Sequence, residues 1–511
     1  MAEITKAKSN DIAVRSGLFA VLCTVLPLLT YFVGLGLPLL GPDEPRYAQV
    51  AREMFERGDL ITPTLGGHGW FEKPVLLYWL EMASFQLFGV NETAVRLGPA
   101  LFGVLTVAAL WLFARFAVRG NSFGISSKIM PAVAASTVGI IAFAHGASFD
   151  IILTLPITAS LVCYFVYDRS ESDSRCERPA LAGFYFFIGV GLLAKGLVGA
   201  FFPAGIVAAY HALSLRLSKR SFYLGMLWGG IIAAMVAGIW YVPMYQRNGW
   251  KFIDEFIIQH HFQRYTSNKY QHPQPFYFFF WVLPMLTIPW VPFWFAETWR
   301  TIKSIAVRFS HSGIAGDRFT SASIFALAWA GVPLVFFTLS GSKLPGYIMP
   351  SVPGAVILAW IAVEKFAARS SFRRIAVLSA SAVTAIVIIA LLTLYMPSFA
   401  LTDSVKPLIT AAQADISVPD RRPVLCLHNV SHNAEFYAAG RLVRNDEGAI
   451  RRFGSADEVK DLLVSSQAGE VLVIVPTEYV DELRQNADLV TTVIAAHDEL
   501  AIASVGSRSS F

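Results

Sequence analysis

The sequence predicts a polytopic α-helical membrane protein with a small soluble α/β domain at its C-terminal end. Of the 511 residues, 55% are hydrophobic and only 15% are charged, whereas soluble globular chains carry roughly 25% charged residues. The apolar residues gather in long stretches up to about residue 399, and charged and amide side chains become frequent beyond it. This composition excludes a soluble enzyme, a disordered chain and a small secreted scaffold.

The predicted membrane spans number about eleven, because a crossing helix needs roughly 20 mostly apolar residues. The first stretch is too long for the core of a signal peptide, so we expect it to be retained. The stretch from 180 to 213 fits either one bent span or two. The spans are 17–40, 96–118, 129–147, 149–167, 180–194, 197–213, 222–244, 276–298, 321–339, 347–364 and 375–397.

The net charge of +5 indicates topology and not nucleic-acid binding, because Lys and Arg gather in alternate connections between the spans. By the positive-inside rule those connections are cytoplasmic, and an odd number of spans then places the C-terminus in the periplasm. The four cysteines show no C-x-x-C spacing, so we expect neither a disulfide framework nor a cysteine zinc site.

The predicted outer connections contain ionisable residues that the positive-inside rule does not explain. Charges at membrane depth are costly and are a functional hypothesis by default. Because they come from five separate segments on one predicted side, we expect them to line a single cavity. They are Asp43, Glu44, Glu72, Lys73, Asp150, Lys195, His261, Arg264 and Lys343.

The first outer connection, 41–94, is predicted to open with an interfacial helix that ends at Gly58. Its apolar residues recur at the spacing of one helix face, as in helices that lie on a membrane surface. Asp43 stands where an N-cap would be, and Pro45 suits the first helical turn. From the residue preferences at helix starts alone, capping is the simpler interpretation of Asp43, and a catalytic carboxylate is the alternative.

Glu72 and Lys73 follow in the same connection. They fit an ordinary surface ion pair, or a metal ligand beside a phosphate-binding cation. Asp150 opens an apolar stretch, as an N-cap would. Lys195 lies between two half-spans, where its side chain has little room to extend to the lipid headgroups.

The remaining two outer segments are ambiguous in the same way. His261 and Arg264 lie in the run Gln259–Tyr265, whose histidines suit zinc although neighbouring histidines are more often solvated. Lys343 lies in a turn between spans, where a lysine commonly anchors at headgroups. Together, however, the outer segments supply carboxylates, cations and aromatic walls.

That inventory fits the transfer of a group from a lipid-linked phosphate. A carboxylate could accept the proton of the attacking nucleophile, and Lys and Arg could stabilise the departing phosphate. An apolar aromatic groove would hold the isoprenoid chain. A Ser/His/Asp site fits less well, because no serine lies in a recognisable nucleophile elbow.

From 400 to 511 we predict a small soluble α/β domain on the outer side, following a membrane domain that occupies 1–399. Strand-like runs at 424–428, 471–475 and 500–505 alternate with helix-like runs at 457–465 and 478–486. The domain contains no glycine-rich phosphate loop and no metal signature.

Five short motifs occur in a fixed order, and this order resembles the bacterial lipid A aminoarabinose transferase family and its protein O-mannosyltransferase-like relatives among the C-type membrane glycosyltransferases. The resemblance covers roughly residues 15–365 and implies the C-type fold. The motifs are Asp-Glu-Pro-Arg-Tyr-Ala at 43–48, Phe-Glu-Lys-Pro at 71–74, Lys-Gly at 195–196, His-Phe-Gln-Arg at 261–264 and Lys-Leu-Pro-Gly-Tyr at 343–347.

The resemblance also implies roles for individual residues. Asp43 would be the catalytic or donor-positioning acid and Asp150 a second acid near the sugar. Glu72 and His261 would hold a divalent metal, with zinc suggested by the family. The donor phosphate and its lipid would be bound by Lys73, Lys195, Arg264, Lys343, Tyr347, Arg46 and Tyr78.

We therefore expect an inverting glycosyltransferase of the bacterial inner membrane. It would move a sugar from undecaprenyl phosphate, or a similar polyprenyl carrier, to lipid A or the lipopolysaccharide core on the periplasmic side. Aminoarabinose, galacturonic acid and a neutral hexose all remain open as the sugar. The alternatives are a protein O-mannosyltransferase-like enzyme with a peptide acceptor and a transporter of lipid-linked sugars.

Overall fold

A computed structural model describes residues 19, 21–118, 126–171, 174–263, 274–310, 318–414, 420–466 and 469–508. The chain forms two compact units. The helical unit comprises residues up to 33, 72–77 and 96–390, and the mixed unit comprises 34–71, 78–95 and 391 onward.

The described helices and strands follow the order of the chain. The helices are α1 (Val21–Thr30), α2 (Asp43–Arg57), α3 (Leu76–Phe88), α4 (Glu92–Val118), α5 (Met130–Ala135), α6 (Val138–Ala144), α7 (Phe149–Arg169), α8 (Glu177–Lys195), α9 (Val198–Ser214), α10 (Arg220–Phe252), α11 (Phe278–Leu286), α12 (Val291–Ser310), α13 (Arg318–Thr338), α14 (Val352–Ala367), α15 (Ser371–Ala390), α16 (Met396–Asp403), α17 (Lys406–Ala414), α18 (Ala434–Tyr437), α19 (Ala456–Ser466) and α20 (Val480–Gln485). The strands are β1 (Thr64–Leu65), β2 (His68–Gly69), β3 (Val424–Leu427), β4 (Arg452–Phe453), β5 (Glu470–Pro476), β6 (Leu489–His497) and β7 (Leu500–Ser507).

The multi-pass helical fold is confirmed, with fewer full-length spans than the sequence predicted. Among the described residues, seven helices are long and apolar enough to cross a membrane, and α11 with α12, bent by 119°, makes an eighth if the pair is one span. The other three predicted stretches form shorter helices, namely α1, the pair α5 and α6, and α9. Within the described residues, each is shorter than the roughly 20 residues that a straight crossing needs.

The stretch from 180 to 213 forms two helices, α8 and α9, that turn sharply at Gly196. Gly191 of α8 and Gly199 of α9 allow the two helices to come close together beside this turn. A β-carbon added at Gly199 would lie 2.2 Å from the carbonyl carbon of Gly191, so the two backbones approach more closely than any side chain permits. Lys195 consequently lies at the tip of a tight helical hairpin.

The mixed unit is built around a five-stranded sheet with the order β4-β3-β5-β7-β6. Strand β3 pairs in parallel with β4 and β5, whereas β7 pairs antiparallel with β5 and β6. Apolar side chains alternate to the two faces of the strands and form one buried cluster on each face. The predicted soluble α/β fold at the C-terminal end is thereby confirmed, although the sequence analysis missed β4 and β6.

Helix α2 of the first outer connection belongs to the mixed unit as well. The helix ends at Gly58, whose φ of 63° is left-handed and whose N–H bonds to the carbonyls of Met54 and Phe55, as expected for a glycine C-cap. The predicted apolar face is buried. The opposite face is not fully solvated, because Gln49 is only 1% exposed.

Candidate functional site

Asp150 and Lys195 form an ion pair in the helical unit. Asp150 lies in the first turn of α7, and Lys195 is the last residue of α8. The cap of α7 is Ser148, whose hydroxyl accepts from the N–H of Asp150 at 3.1 Å. The capping interpretation of Asp150 is therefore wrong, and its carboxylate is available to the lysine.

The turn that precedes α14 brings a third segment to this pair. The ammonium of Lys195 lies 5.3 Å from the ring centroid of Tyr347, within the range of a cation–π contact. Lys343 is 6% exposed, and its ammonium donates to the carbonyl of Ser340 at 2.6 Å. We call Asp150, Lys195 and Tyr347 the acid–lysine cluster.

Gly346 packs against the acid–lysine cluster, although the sequence analysis assigned it no role. A β-carbon at Gly346 would lie 2.0 Å from Oδ2 of Asp150. We expect Gly346→Ala to displace the carboxylate and to lower turnover by about tenfold or more, since small misplacements of a reacting geometry cost up to about 10²-fold. Gly331→Ala is the matched control, because a β-carbon there meets no atom within 4 Å. Equal turnover in the two variants would contradict this prediction.

Asp43 is the first residue of α2, and the capping interpretation is wrong here too. Pro42 occupies the N-cap position, and no side chain caps the helix. The Asp43 side chain is 58% exposed and accepts from Arg46 Nη1 at 3.3 Å. The Arg46 guanidinium lies 5.5 Å from the ring centroid of Trp70. A largely exposed carboxylate on the first turn of a rigid helix can accept a proton from an external hydroxyl.

The other predicted site residues differ in their burial, and two of them are not fully described by the structure. Glu72 and Lys73 are half-buried just before α3, and Tyr78 is fully buried within α3. The backbone of His261 belongs to a π-helical segment, Ile253–Gln263, whereas its side chain and all of Arg264 lie outside the described residues.

The hypothesis of a single cavity stays a prediction. Asp43, Arg46 and Tyr78 belong to the mixed unit, whereas Glu72, Lys73 and the acid–lysine cluster belong to the helical unit. Within the described ranges, no group of three or more His, Cys, Asp or Glu side chains is arranged to hold a metal ion.

Sequence reasoning missed one titratable side chain that interacts electrostatically with Asp43. Partial burial and the positive charge of Arg46 lower the pKa of His432, and the negative charge of Asp43 raises it. His432 belongs to the C-terminal part of the chain, and nothing in the local sequence pattern connects it to α2. The contact depends entirely on tertiary packing.

Comparison with known proteins shows which families the chain resembles. The family of dolichyl-phosphate-mannose-protein mannosyltransferases matches residues 18–258. The undecaprenyl phosphate-alpha-4-amino-4-deoxy-L-arabinose arabinosyl transferase 2 of Pseudomonas fluorescens is 31% identical over 66% of this chain and 56% of its own. The arabinosyl transferase of Aeromonas salmonicida is 30% identical over 64% and 56%. The matched part thus spans little more than half the length of these relatives.

Two solved structures share the fold. The crystal structure of ArnT from Cupriavidus metallidurans bound to undecaprenyl phosphate has a TM-score of 0.75 at 21% identity, over 95% of this chain and 97% of that one. The archaeal oligosaccharyltransferase AglB from Archaeoglobus fulgidus has a TM-score of 0.51 at 13% identity. The sequence relatives and this shared fold confirm the resemblance noted from the motifs. The chain resembles the lipid A aminoarabinose transferases in sequence and has the fold of the C-type membrane glycosyltransferases.

Proposed function

We propose that this protein transfers a sugar from an undecaprenyl-phosphate carrier to lipid A or the lipopolysaccharide core. The printed names of its relatives support this donor. The observation that carries the proposal is the acid–lysine cluster, which joins a carboxylate, an ammonium and an aromatic ring at the ends of apolar helices. Such a group suits a sugar phosphate whose lipid chain lies among the spans.

In the proposed reaction the acceptor hydroxyl attacks the anomeric carbon of the sugar. Asp43 accepts the hydroxyl proton as the new glycosidic bond forms. The bond between the anomeric carbon and the phosphate oxygen breaks on the opposite face, so the configuration inverts. The lipid phosphate leaves with the bonding electrons, and the positive charges of Lys195 and Lys73 stabilise it.

We propose further that the site and the C-terminal domain face the periplasm. The Lys- and Arg-rich connections lie on the other side by the positive-inside rule. The proposed domain boundary along the chain is at 399/400, with the interfacial helices of the first outer connection assigned to the membrane domain by sequence although α2 and α3 pack mainly within the mixed unit. The acceptor with the next-best support is a peptide hydroxyl, because the matching family is described as protein mannosyltransferases.

The zinc expectation rests on the family resemblance and on Glu72 with His261. The described residues supply no complete ligand set, so no step of the proposed reaction passes through a metal. Elemental analysis of the purified wild-type and Glu72→Gln proteins tests this part of the proposal. Zinc bound equally by both would contradict a ligand role for Glu72.

Mass spectrometry of lipid A and of glycoproteins tests the function. We expect membranes from cells that contain the protein to carry a lipid A species heavier by one sugar residue, which is missing when the gene is deleted. The purified protein should form the same species from an undecaprenyl-phosphate sugar and lipid A. Unchanged lipid A together with a sugar lost from protein would instead establish the peptide acceptor.

A further inference from the structure

Within the mixed unit, a short segment of the C-terminal domain lies on the helix that carries Asp43. We call residues 432–437, which end in α18, the clasp segment. Arg52 of α2 donates to the carbonyl of Phe436 at 2.7 Å, and its guanidinium lies 4.2 Å from the Phe436 ring centroid. The polar face of α2 is therefore bound to the clasp segment at Arg52.

Tyr437 connects the two ends of the first outer connection. Its hydroxyl accepts from the backbone N–H of Leu39 at 2.8 Å and donates to the carboxylate of Glu92 at 3.1 Å. Leu39 lies just before the start of α2, and Glu92 is the first residue of α4. Glu92 also pairs with Lys406. The Tyr437 hydroxyl thus connects the C-terminal domain to the segment before α2 and to the first residue of α4.

The clasp segment is itself held firmly. The side-chain amide of Asn433 donates to the carbonyl of Asp403 at 2.6 Å. Its oxygen accepts from the N–H of Val405 at 3.3 Å and from the hydroxyl of Ser431 at 3.0 Å. Asn433 is only 6% exposed. A segment with its buried amide satisfied in this way is a rigid support and not a mobile loop.

The start of the clasp segment is also close to the charges of the first turn of α2. His432 interacts electrostatically with Arg46 and with Asp43. The hydrogen bond from Arg52 to Phe436 joins the segment to α2 directly, and a directed bond of this kind fixes the position of a helix more narrowly than apolar packing alone.

We infer that the clasp segment is a positioning element for Asp43, with Tyr437 and Arg52 as positioning residues. This inference rests on the proposed function and gives the C-terminal domain a role in the chemical step. Neither residue is assigned contact with a substrate. Because small displacements of a catalytic group cost up to about 10²-fold, loosening α2 lowers kcat while the donor KM changes little.

Tyr437→Phe is the variant that tests this inference, since it removes one hydroxyl and keeps the ring. We expect kcat to fall about 5- to 20-fold with the donor KM within about twofold, and the backbone amides of α2 to exchange hydrogen faster. Tyr479→Phe is the matched control in the same domain. Tyr479 is 40% exposed, and its ring lies 4.3 Å from that of His428.

Hydrogen exchange keeps the positioning role separate from the proposed function, because it needs no activity. Wild-type protein without transfer activity would refute the proposed function, and with it the catalytic role of the clasp segment, even if the exchange of α2 responded as expected. An active wild type with unchanged kcat in Tyr437→Phe would refute the inference alone. Equal effects of Tyr437→Phe and Tyr479→Phe would also refute it. Arg52→Lys, which keeps the charge but alters the directed bond to Phe436, should reproduce the fall in kcat.

Discussion

Replacing Asp43 by Asn is expected to slow sugar transfer by about 10²- to 10⁴-fold, the usual contribution of a positioned general base. The amide keeps the size of the side chain but cannot accept the proton of the acceptor hydroxyl. The helix should tolerate the change, because Asp43 does not cap α2 and its side chain is 58% exposed. The measurement is single-turnover transfer by purified protein under saturating donor.

Glu56→Gln is the matched control for this prediction. Glu56 is an exposed acid of the same helix, so its replacement removes the same charge without touching the first turn. We expect near wild-type transfer in Glu56→Gln and an unchanged melting temperature in both variants. Wild-type transfer by Asp43→Asn would remove Asp43 from the proposed chemistry.

Lys195→Met is expected to lower transfer by about 10²- to 10³-fold, as the loss of a group that stabilises developing charge does in other enzymes. The same change leaves the carboxylate of Asp150, whose side chain is only 18% exposed, without its cation. Removing one partner of such a pair is strongly destabilising. We therefore expect a lower melting temperature as well, measured in detergent.

A double variant separates the two effects. Asp150→Asn with Lys195→Met removes both charges, which should recover most of the melting temperature while transfer stays low. Lys365→Met supplies the control, because Lys365 pairs at 2.8 Å with the buried Glu297 away from the cluster. That variant should be less stable but should transfer sugar normally per folded molecule. Recovery of transfer in the double variant would mean that Lys195 acts only through stability.

Part of this structure follows directly from local sequence. The glycine stop of α2 at Gly58, the strand-like run at 424–428 and the helical run at 457–465 all appear where the pattern predicts them. These features depend on neighbours along the chain, such as a left-handed glycine or apolar alternation. Asp150 and Lys195, which the charge pattern assigned to one predicted side, form an ion pair, although that pattern did not predict which charges would pair.

The local sequence pattern gave the wrong N-cap residue where two neighbouring residues could occupy that position. Asp43 and Asp150 both stand at helix starts, yet Pro42 and Ser148 occupy the N-cap positions. Moving the start of a helix by one or two residues decides whether a carboxylate caps the helix or is available for other contacts. Sequence patterns do not define helix ends that finely. The sequence pattern did mark the break at Gly196, but it left open whether the stretch from 180 to 213 is one bent span or the two helices that the structure shows.

The sequence by itself determined that this chain is a multi-span membrane protein with charged motifs between its apolar stretches and a small α/β domain at its C-terminal end. Those properties depend on composition, periodicity and short motifs, all of which are local. Only the tertiary structure decided that Lys195 faces Asp150 and Tyr347 and that the clasp segment binds Arg52 of α2. Such contacts join residues far apart in the chain, and their energies depend on a packed geometry that no local pattern encodes.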